Sequence, residues 1–167
     1  MTTLSAEDGL TLRATTHKLL SARSGPSSVR AAMESQAGYN PDLWKELAEL
    51  GILGLIIPEE HGGSGMGPVE LELVMEEVGA ALLCGPLLSS AVLAAGLLHA
   101  LGDTDAQSRL LPTIADGSLI ATAAITGPAG TWTPKGVAVT AHAAAERWTL
   151  DGVADFVPHG QIADVVL

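Results

Sequence analysis

The sequence predicts an α+β protein, with an all-α helical N-terminal domain over residues 1–117 and the start of an antiparallel β domain over residues 118–167. As far as Leu111, apolar residues recur at the three- and four-residue spacing of amphipathic helices. From Ser118 onward, short apolar and β-branched runs alternate with Gly, Pro and Asp, as strands and turns do. At 167 residues and 47% hydrophobic, the chain is long and apolar enough to build a core.

Charge and cysteine content argue against several classes of function. The formal net charge of −11 argues against nucleic-acid binding, because an acidic surface repels phosphates. The single cysteine, Cys84, excludes an intrachain disulfide and a CxxC pair, and its apolar surroundings favour a buried small hydrophobe over a nucleophile. The N-terminus has early acids and no basic residues before an apolar run, so we expect no secretory signal and a cytoplasmic location.

Two helices are predicted at the N-terminus. The first covers residues 4–21, where Ser5 followed by Asp8 imitates a capping box. Gly25 and Pro26 indicate a loop over residues 24–27. A short helix over residues 29–36 follows and ends before Gly38.

Residues 43–65, LWKELAELGILGLIIPEEHGGSG, carry the densest set of local signals. Asn40 can cap a helix and Pro41 suits its first turn, since no intrahelical partner exists there for the missing N–H. The apolar face of this helix consists of Leu43, Trp44, Leu47 and Leu50. Gly51 can turn left-handed and end the helix; a short apolar extended segment is predicted next, ending at Pro58 and a glycine-rich turn.

A further helix is predicted from Pro68 to about residue 83, with a strongly acidic flank. The acids are Glu70, Glu72, Glu76 and Glu77. We interpret this flank as a solvated face in preference to a binding surface.

Residues 80–101 contain no charged side chain, which is compatible with a membrane span or with a buried core helix. Gly85 and Pro86 divide the stretch and no basic residues flank it, so we favour a buried helix over residues 87–101. His99 near its end has no second ligand at a useful spacing, and no metal site is predicted. After Gly102, Thr104 with Gln107 predicts a capping box for a helix over residues 104–114.

Five strands are predicted beyond residue 117, over residues 119–126, 136–142, 147–150, 153–157 and 163–167. Asp151 and Gly152 between two of these runs predict a type I′ hairpin turn. Prolines 128, 134 and 158 should lie at turns or edges, because proline cannot donate to a strand ladder. The apolar run 163–167 leaves an unpaired edge, so we expect either a truncated or cleaved chain or a complement from another polypeptide.

Residues 43–65 resemble the N-terminal domain of acyl-CoA dehydrogenases, and the resemblance continues more loosely to about Leu111. The resemblance implies a helical N-terminal domain, a β-barrel-like middle domain that is truncated here, and a C-terminal helical domain that is absent. It also implies FAD as cofactor, an acyl-CoA substrate and α,β-desaturation by proton abstraction and hydride transfer to the flavin. In the family the catalytic base lies in the C-terminal domain, so no residue here is assigned that role.

Two loops are similar to the cofactor loops of the family. Residues 125–132, ITGPAGTW, resemble T-E-P-G-x-G-S-D, which implies cofactor contacts by Ile125 and Thr126 and a cofactor and substrate contact by Thr131. In this loop Gly127 replaces the family's Glu and Trp132 its final Asp. The same pattern also fits an ordinary strand-to-loop turn.

The second loop, residues 152–160, GVADFVPHG, resembles G-x-K-x-W-I-T-N-G. Phe156 replaces the aromatic residue beside the flavin, and Pro158 replaces a hydroxyl residue that donates to it. Because proline offers neither hydroxyl nor N–H, and Ala154 replaces the usual Lys, the changes indicate weak or absent flavin binding by this chain.

By the same resemblance, the helix after Pro86 forms the wall of the acyl pocket, with Ser89, Ser90, Leu93 and Ala94 as substrate contacts. Its small residues would admit a bulky branched or polycyclic acyl group if they face inward. Close helix packing explains small residues equally well.

Three functions remain open from the sequence. The first is a subunit or fragment of an FAD-dependent acyl-CoA dehydrogenase of fatty-acid or steroid side-chain β-oxidation, which is inactive alone. The second is a non-catalytic, dehydrogenase-like partner that completes an interface or half-site of a heteromeric enzyme. Both imply a homo- or hetero-oligomer, and the first implies electron-transfer flavoprotein as acceptor. A third, a membrane-associated helical protein, depends only on residues 80–101.

Overall fold

A computed structural model describes residues 4–145 and 147–167. Its α-helices are α1 (Ala6–Arg23), α2 (Pro26–Glu34), α3 (Pro41–Glu49), α4 (Pro68–Ala80), α5 (Ala95–Leu101) and α6 (Thr104–Ala115). A π-helical segment, Leu87–Ala94, runs directly into α5. The strands are β1 (Ala121–Thr122), β2 (Val139–Ala144), β3 (Arg147–Gly152) and β4 (Val165–Val166). The α+β class is confirmed: helices occupy the first two thirds of the chain and strands the last.

The N-terminal helices are close to their predicted positions. Helix α1 is capped as predicted, because the Ser5 hydroxyl oxygen accepts from the backbone N–H of Asp8 at 3.1 Å. The loop predicted over residues 24–27 is wrong, since α2 already begins at Pro26. Proline is favoured at the first helical position, where its missing N–H has no partner to lose.

Helix α3 confirms the predicted cap and stop. The Asn40 side chain accepts from the N–H groups of Asp42 and Leu43 at 2.9 and 3.2 Å, and Gly51 adopts φ +74°. The extended segment predicted after Gly51 is wrong: residues 52–57 form consecutive turns. These turns bond to the glycine-rich connector, residues 62–65: the N–H of Ser64, for example, donates to the carbonyl of Gly54 at 2.9 Å.

The core of the helical part is built on this stretch. Leu43, Trp44, Leu47 and Leu53 are buried together with apolar residues of α1, α4 and the π-helical segment. The indole N–H of Trp44 donates to the carbonyl of Gly117 at 3.0 Å, so the end of the helical part is attached to α3.

The acidic flank of α4 is only half solvated, which corrects the prediction. Glu72 and Glu76 are exposed, but Glu70 and Glu77 are 2% and 8% exposed. The Glu70 carboxylate accepts from the backbone N–H groups of Leu4 at 2.9 Å and Gly67 at 3.0 Å. The same bonds, led by that from Leu4, lower the pKa of Glu70. Packing of α1 on α4 therefore buries this side of the flank.

Residues 87–101 form a buried core element, as predicted, although the first two turns are π-helical. Leu87, Ala91, Ala94 and Leu98 are buried. Within residues 4–145 and 147–167, no helix is long and apolar enough to cross a membrane.

The start of α6 differs from the predicted capping box. Asp103, one residue earlier, is the cap, and its carboxylate accepts from the N–H of Ala106 at 3.0 Å. Gln107 turns away from Thr104 and donates to the carbonyl of Leu98 at 2.8 Å, which connects α6 to α5.

The β part contains two separate strand pairs. Strands β2 and β3 are antiparallel, with a register from Val139 opposite Gly152 to Ala144 opposite Arg147. The predicted type I′ turn is wrong, because Asp151 and Gly152 lie inside β3 and the connection begins at Ala145 with φ +53°. Residues 153–157, predicted as a strand, are irregular. The three prolines lie outside the strands, as predicted.

Strands β1 and β4 form a parallel pair, in which Ala121 is opposite Val165. The last residues are therefore paired along one side, and the N–H of Leu167 donates to the carbonyl of Thr122 at 2.9 Å. This pairing brings the C-terminal residues against the strand that follows α6.

Candidate functional site

The candidate site lies where the π-helical segment, β1 and the irregular segment 155–159 meet. The Ser90 hydroxyl oxygen accepts from the backbone N–H of Ala121 at 3.0 Å. The Thr122 hydroxyl donates to the carbonyl of Pro158 at 2.6 Å. These bonds fix the predicted pocket-wall segment and the second predicted cofactor loop against the same short strand.

The predicted substrate residues on the π-helical segment are mostly enclosed. Ser89, Ser90 and Ala94 have no exposed surface, and Leu93 is half-buried. The Ser89 hydroxyl donates to the carbonyl of Pro86 at 3.1 Å and lies 3.0 Å from Nδ1 of His159. Because both serine hydroxyls have partners within the chain, their role as substrate contacts stays a prediction.

Thr126 is held by a reciprocal pair of bonds to the other loop. It is buried, its hydroxyl donates to the carbonyl of Asp155, and the N–H of Asp155 donates to the carbonyl of Thr126 at 2.8 Å. Ile125 beside it is 36% exposed. The hydroxyl predicted to contact a cofactor is therefore engaged inside the chain.

A steric reason exists for glycine at position 127. Its N–H donates to the carbonyl of Gly136 at 2.9 Å, and a Cβ placed on it would lie 2.7 Å from Cβ of Ala138. Any larger residue at position 127 would separate the two sides of this turn. Thr131 is exposed and Trp132 is 73% exposed at the outer end of the same loop.

Phe156 is presented to solvent on a strained backbone. Its side chain is 80% exposed and its φ is +55°, a value that His159 also adopts. Such conformations cost roughly 1–3 kcal/mol each in non-glycine residues and persist only where the surroundings enforce them. The Phe156 ring lies 3.8 Å from the position that a Cβ on Gly130 would take, so the two predicted cofactor loops adjoin through it.

His159 is a site residue that the sequence reasoning missed. Its Nδ1 can donate to the Ser89 hydroxyl oxygen, because that hydroxyl already donates to Pro86. Burial lowers the pKa of His159, which favours the neutral imidazole. The only sequence signal was its place in the loop 152–160, where the family pattern has Asn.

An apolar groove of about 410 Å³ runs along the connector between α3 and α4. Its walls include Ile56, Pro58, Met66, Leu71 and the exposed His99. Among the described residues, no group of His, Cys, Asp or Glu is arranged to hold a metal ion.

Comparison with known proteins decides the family. Residues 6–118 match the model of the acyl-CoA dehydrogenase N-terminal domain. The acyl-CoA dehydrogenase IpdE2 of Mycolicibacterium smegmatis is 40% identical over 118 residues, which are 70% of this chain and 36% of that relative. The chain belongs to the acyl-CoA dehydrogenase family. It spans only about a third of the length of the curated relatives that it matches first.

Solved acyl-CoA dehydrogenase structures share the fold over nearly the whole chain. A subunit of the ChsE4–ChsE5 complex of Mycobacterium tuberculosis matches 100% of this chain with 44% of its own length, at a TM-score of 0.85 and 29% identity. A variant of the Tcur3481–Tcur3483 steroid acyl-CoA dehydrogenase matches with a TM-score of 0.83 and 30% identity. The match covers 96% of this chain and 44% of that dehydrogenase chain. A glutaryl-CoA dehydrogenase of M. smegmatis in complex with FADH2 matches with a TM-score of 0.84 and 25% identity. The match covers 98% of this chain and 42% of that dehydrogenase.

The residues of this acyl-CoA dehydrogenase-family chain fit a flavin only in part. Phe156 offers an exposed aromatic face for a planar ring. The polar contacts fit poorly, because the Thr126 hydroxyl is engaged with Asp155 and Pro158 has no N–H, while its carbonyl accepts from Thr122. Of the predicted cofactor contacts, neither Thr126 nor Pro158 therefore offers a free side-chain donor.

Proposed function

We propose that this chain is part of an FAD-dependent acyl-CoA dehydrogenase that desaturates an acyl-CoA thioester, and that it works only together with further polypeptide. Membership of the family supports the reaction class. The observation that carries the need for further polypeptide is the partial fit of the cofactor loops: an aromatic face is present at Phe156, but the Thr126 hydroxyl is already bonded within the chain and Pro158 has no donor. FAD would supply the hydride acceptor, and no residue of this chain is proposed as the catalytic base.

In this proposal Phe156 presents its ring to the flavin, and Thr131 lies at the outer end of the neighbouring loop. Desolvation of a large aromatic surface would contribute to binding without requiring a hydrogen bond. The π-helical segment holds this arrangement in place by two hydrogen bonds. Ser90 bonds to Ala121 of β1, and Ser89 bonds to His159.

The partners proposed are acyl-CoA dehydrogenase-like subunits, in a homo- or hetero-oligomer. Two of the similar structures carry the names of subunit pairs, ChsE4–ChsE5 and Tcur3481–Tcur3483, which supports a heteromer. Electron-transfer flavoprotein as acceptor, a bulky acyl substrate such as a steroid side chain, and a cytoplasmic location are further parts of the proposal that follow from the family and the sequence.

A second candidate is the non-catalytic partner, which the two engaged loops favour. In that case the chain would shape the interface while a homologous subunit holds the only flavin. Gly127 supports this candidate, since the family's Glu could not stand there without opening the turn to Gly136 and Ala138. Pro158 supports it because proline has neither a hydroxyl nor an N–H to donate.

Flavin titration distinguishes the two candidates. The purified chain is mixed with FAD, alone and with a homologous acyl-CoA dehydrogenase subunit, and quenching of flavin fluorescence and dye-linked acyl-CoA oxidation are measured. The first candidate predicts weak quenching by the chain alone, and activity of the mixture that falls in the Phe156→Leu variant. The matched control is Trp148→Ala, because Trp148 is also an exposed aromatic residue but lies on β3, outside the two loops. Full activity of the mixture with Phe156→Leu and flavin held by the homologue alone would establish the non-catalytic role.

A further inference from the structure

A hydrogen-bonded series of three side chains lies on the surface between α1 and α4, away from the site described above. The Ser21 hydroxyl is 3.2 Å from Nε2 of His17, and Nδ1 of His17 is 2.7 Å from Oε2 of Glu77. Ser21 and His17 are four residues apart on α1 and therefore share one face of the helix. Serine, histidine and carboxylate stand in the order in which a hydroxyl nucleophile is activated.

The carboxylate of this series is buried and held in its ionised form. Glu77 is 8% exposed, and its second oxygen, Oε1, accepts from Nε of Arg13 at 2.8 Å. The bond from Arg13, followed by that from His17, lowers the pKa of Glu77. Arg13 also forms an ion pair with Glu76, in which Nη2 of Arg13 lies 3.0 Å from Oε2 of Glu76.

The ionised carboxylate determines which nitrogen of His17 carries the proton. Oε2 of Glu77 can only accept, so Nδ1 of His17 donates to it, and in the ring that carries a single proton Nε2 is then an acceptor. The Ser21 hydroxyl then donates to Nε2. This tautomer is the one in which a histidine can take the proton of a serine.

A cavity of about 270 Å³ opens beside these groups. Its apolar lining comes from Leu20, Ala80 and Ala81, and Gly25 lies on its wall. Gly25 is the N-cap residue of the nine-residue helix α2, whose first-turn N–H groups have no intrahelical acceptor. The N-terminus of α2 thus lies at the cavity wall.

We propose that Ser21, His17 and Glu77 form an acyl-transfer site that hydrolyses small activated esters and thioesters. Ser21 Oγ attacks the carbonyl carbon and its proton passes to Nε2 of His17; the bond from carbon to the leaving oxygen or sulfur breaks, and that atom takes the proton. Water then attacks the acyl-serine, again through His17, and releases the carboxylic acid and the free serine. The step involves no change of oxidation state and does not depend on the acyl-CoA dehydrogenase function.

The test uses the full chain with p-nitrophenyl acetate as the probe. We expect a burst of p-nitrophenolate and an acetyl group on Ser21, located by mass spectrometry of the peptides. Ser21→Ala should abolish the acetylation, and His17→Gln should slow p-nitrophenolate release about 100-fold, the lower end of what a positioned general base contributes. Ser108→Ala is the matched control, because Ser108 is an exposed helical serine whose hydroxyl donates to a backbone carbonyl one turn back.

Each outcome decides the proposal. Acetylation of Ser21 that disappears in Ser21→Ala and falls in His17→Gln, with Ser108→Ala unchanged, supports it. No acetylation in the wild-type chain, acetylation at another residue, or an undiminished rate in His17→Gln overturns it. Circular dichroism of the variants confirms that α1 is intact, since both changed side chains are on its exposed face.

Discussion

Replacing Gly117 by alanine tests how the helical part is joined to the β part. Gly117 has φ +76°, and a Cβ built on it would lie 2.9 Å from Cδ1 of Leu53 and 3.1 Å from Cβ of Ala48. The left-handed conformation costs an alanine about 1–2 kcal/mol. Overpacking against the buried Leu53 adds about 1–3 kcal/mol. We therefore expect Gly117→Ala to lower the free energy of unfolding by about 2–5 kcal/mol.

Gly102 provides a matched control that separates the two contributions. Its φ is +68°, but within residues 4–145 and 147–167 no atom beyond its two chain neighbours lies within 4 Å of the position of an added Cβ. Gly102→Ala should therefore cost only the backbone part, about 1–2 kcal/mol. A difference of about 1–3 kcal/mol between the variants corresponds to roughly 2–12 °C in midpoint temperature for a chain of this size.

The assay is urea and thermal unfolding of both variants and the wild-type chain, followed by circular dichroism. Equal loss of stability in Gly117→Ala and Gly102→Ala would refute the reasoning, because it would mean that Leu53 and Ala48 do not confine position 117. A loss from Gly117→Ala that is smaller in a Leu53→Ala background than in the wild-type background would confirm that the contact is responsible.

Three further predictions concern single side chains. Trp44→Phe should lower the free energy of unfolding by about 1–3 kcal/mol in urea titrations, because the Gly117 carbonyl loses its donor; an unchanged midpoint would contradict this. The folded-state pKa of Glu77 is depressed, so its stabilising contribution is present above its ordinary pKa and is lost as pH falls through the folded-state pKa. The difference in free energy of unfolding between the wild type and Glu77→Gln should therefore disappear in acid. A difference that does not change with pH would exclude this role. Gly127→Glu, which restores the family's residue, should not increase flavin quenching and should speed proteolysis of the loop to Gly136, since the added side chain opens the turn; tighter flavin binding would contradict the steric account.

The local signals of the sequence predicted the helices well where the stabilising contacts are short-range. The caps by Ser5 and Asn40 and the stop at Gly51 each involve groups within four residues of one another, so sequence spacing is sufficient. Residues 52–57 show the limit, because a short apolar run fits a strand or buried turns equally well. In the folded chain, hydrogen bonds to the glycine-rich connector stabilise turns over these residues instead of a strand.

Prediction was wrong where a distant part of the chain supplies the partner. Glu77 belongs to an acidic flank by spacing, but Arg13, 64 residues away, binds it and buries it. Asp151 and Gly152 form a turn signal by local chemistry, yet pairing of β3 with β2 places both inside a strand. Such contacts leave no periodic trace in the sequence of either partner.

The sequence by itself predicted the resemblance to the family, the caps of α1 and α3, the stop at Gly51 and the residues of the two altered loops, because these depend on residue identity and on contacts within a few positions. Only the tertiary structure decided which polar groups of those loops remain available. Thr126 meets Asp155 across 29 residues, Ser89 meets His159 across 70, and Thr122 meets Pro158 across 36. Whether a hydroxyl can serve a cofactor depends on whether a distant segment has already engaged it, and that is a property of the folded chain.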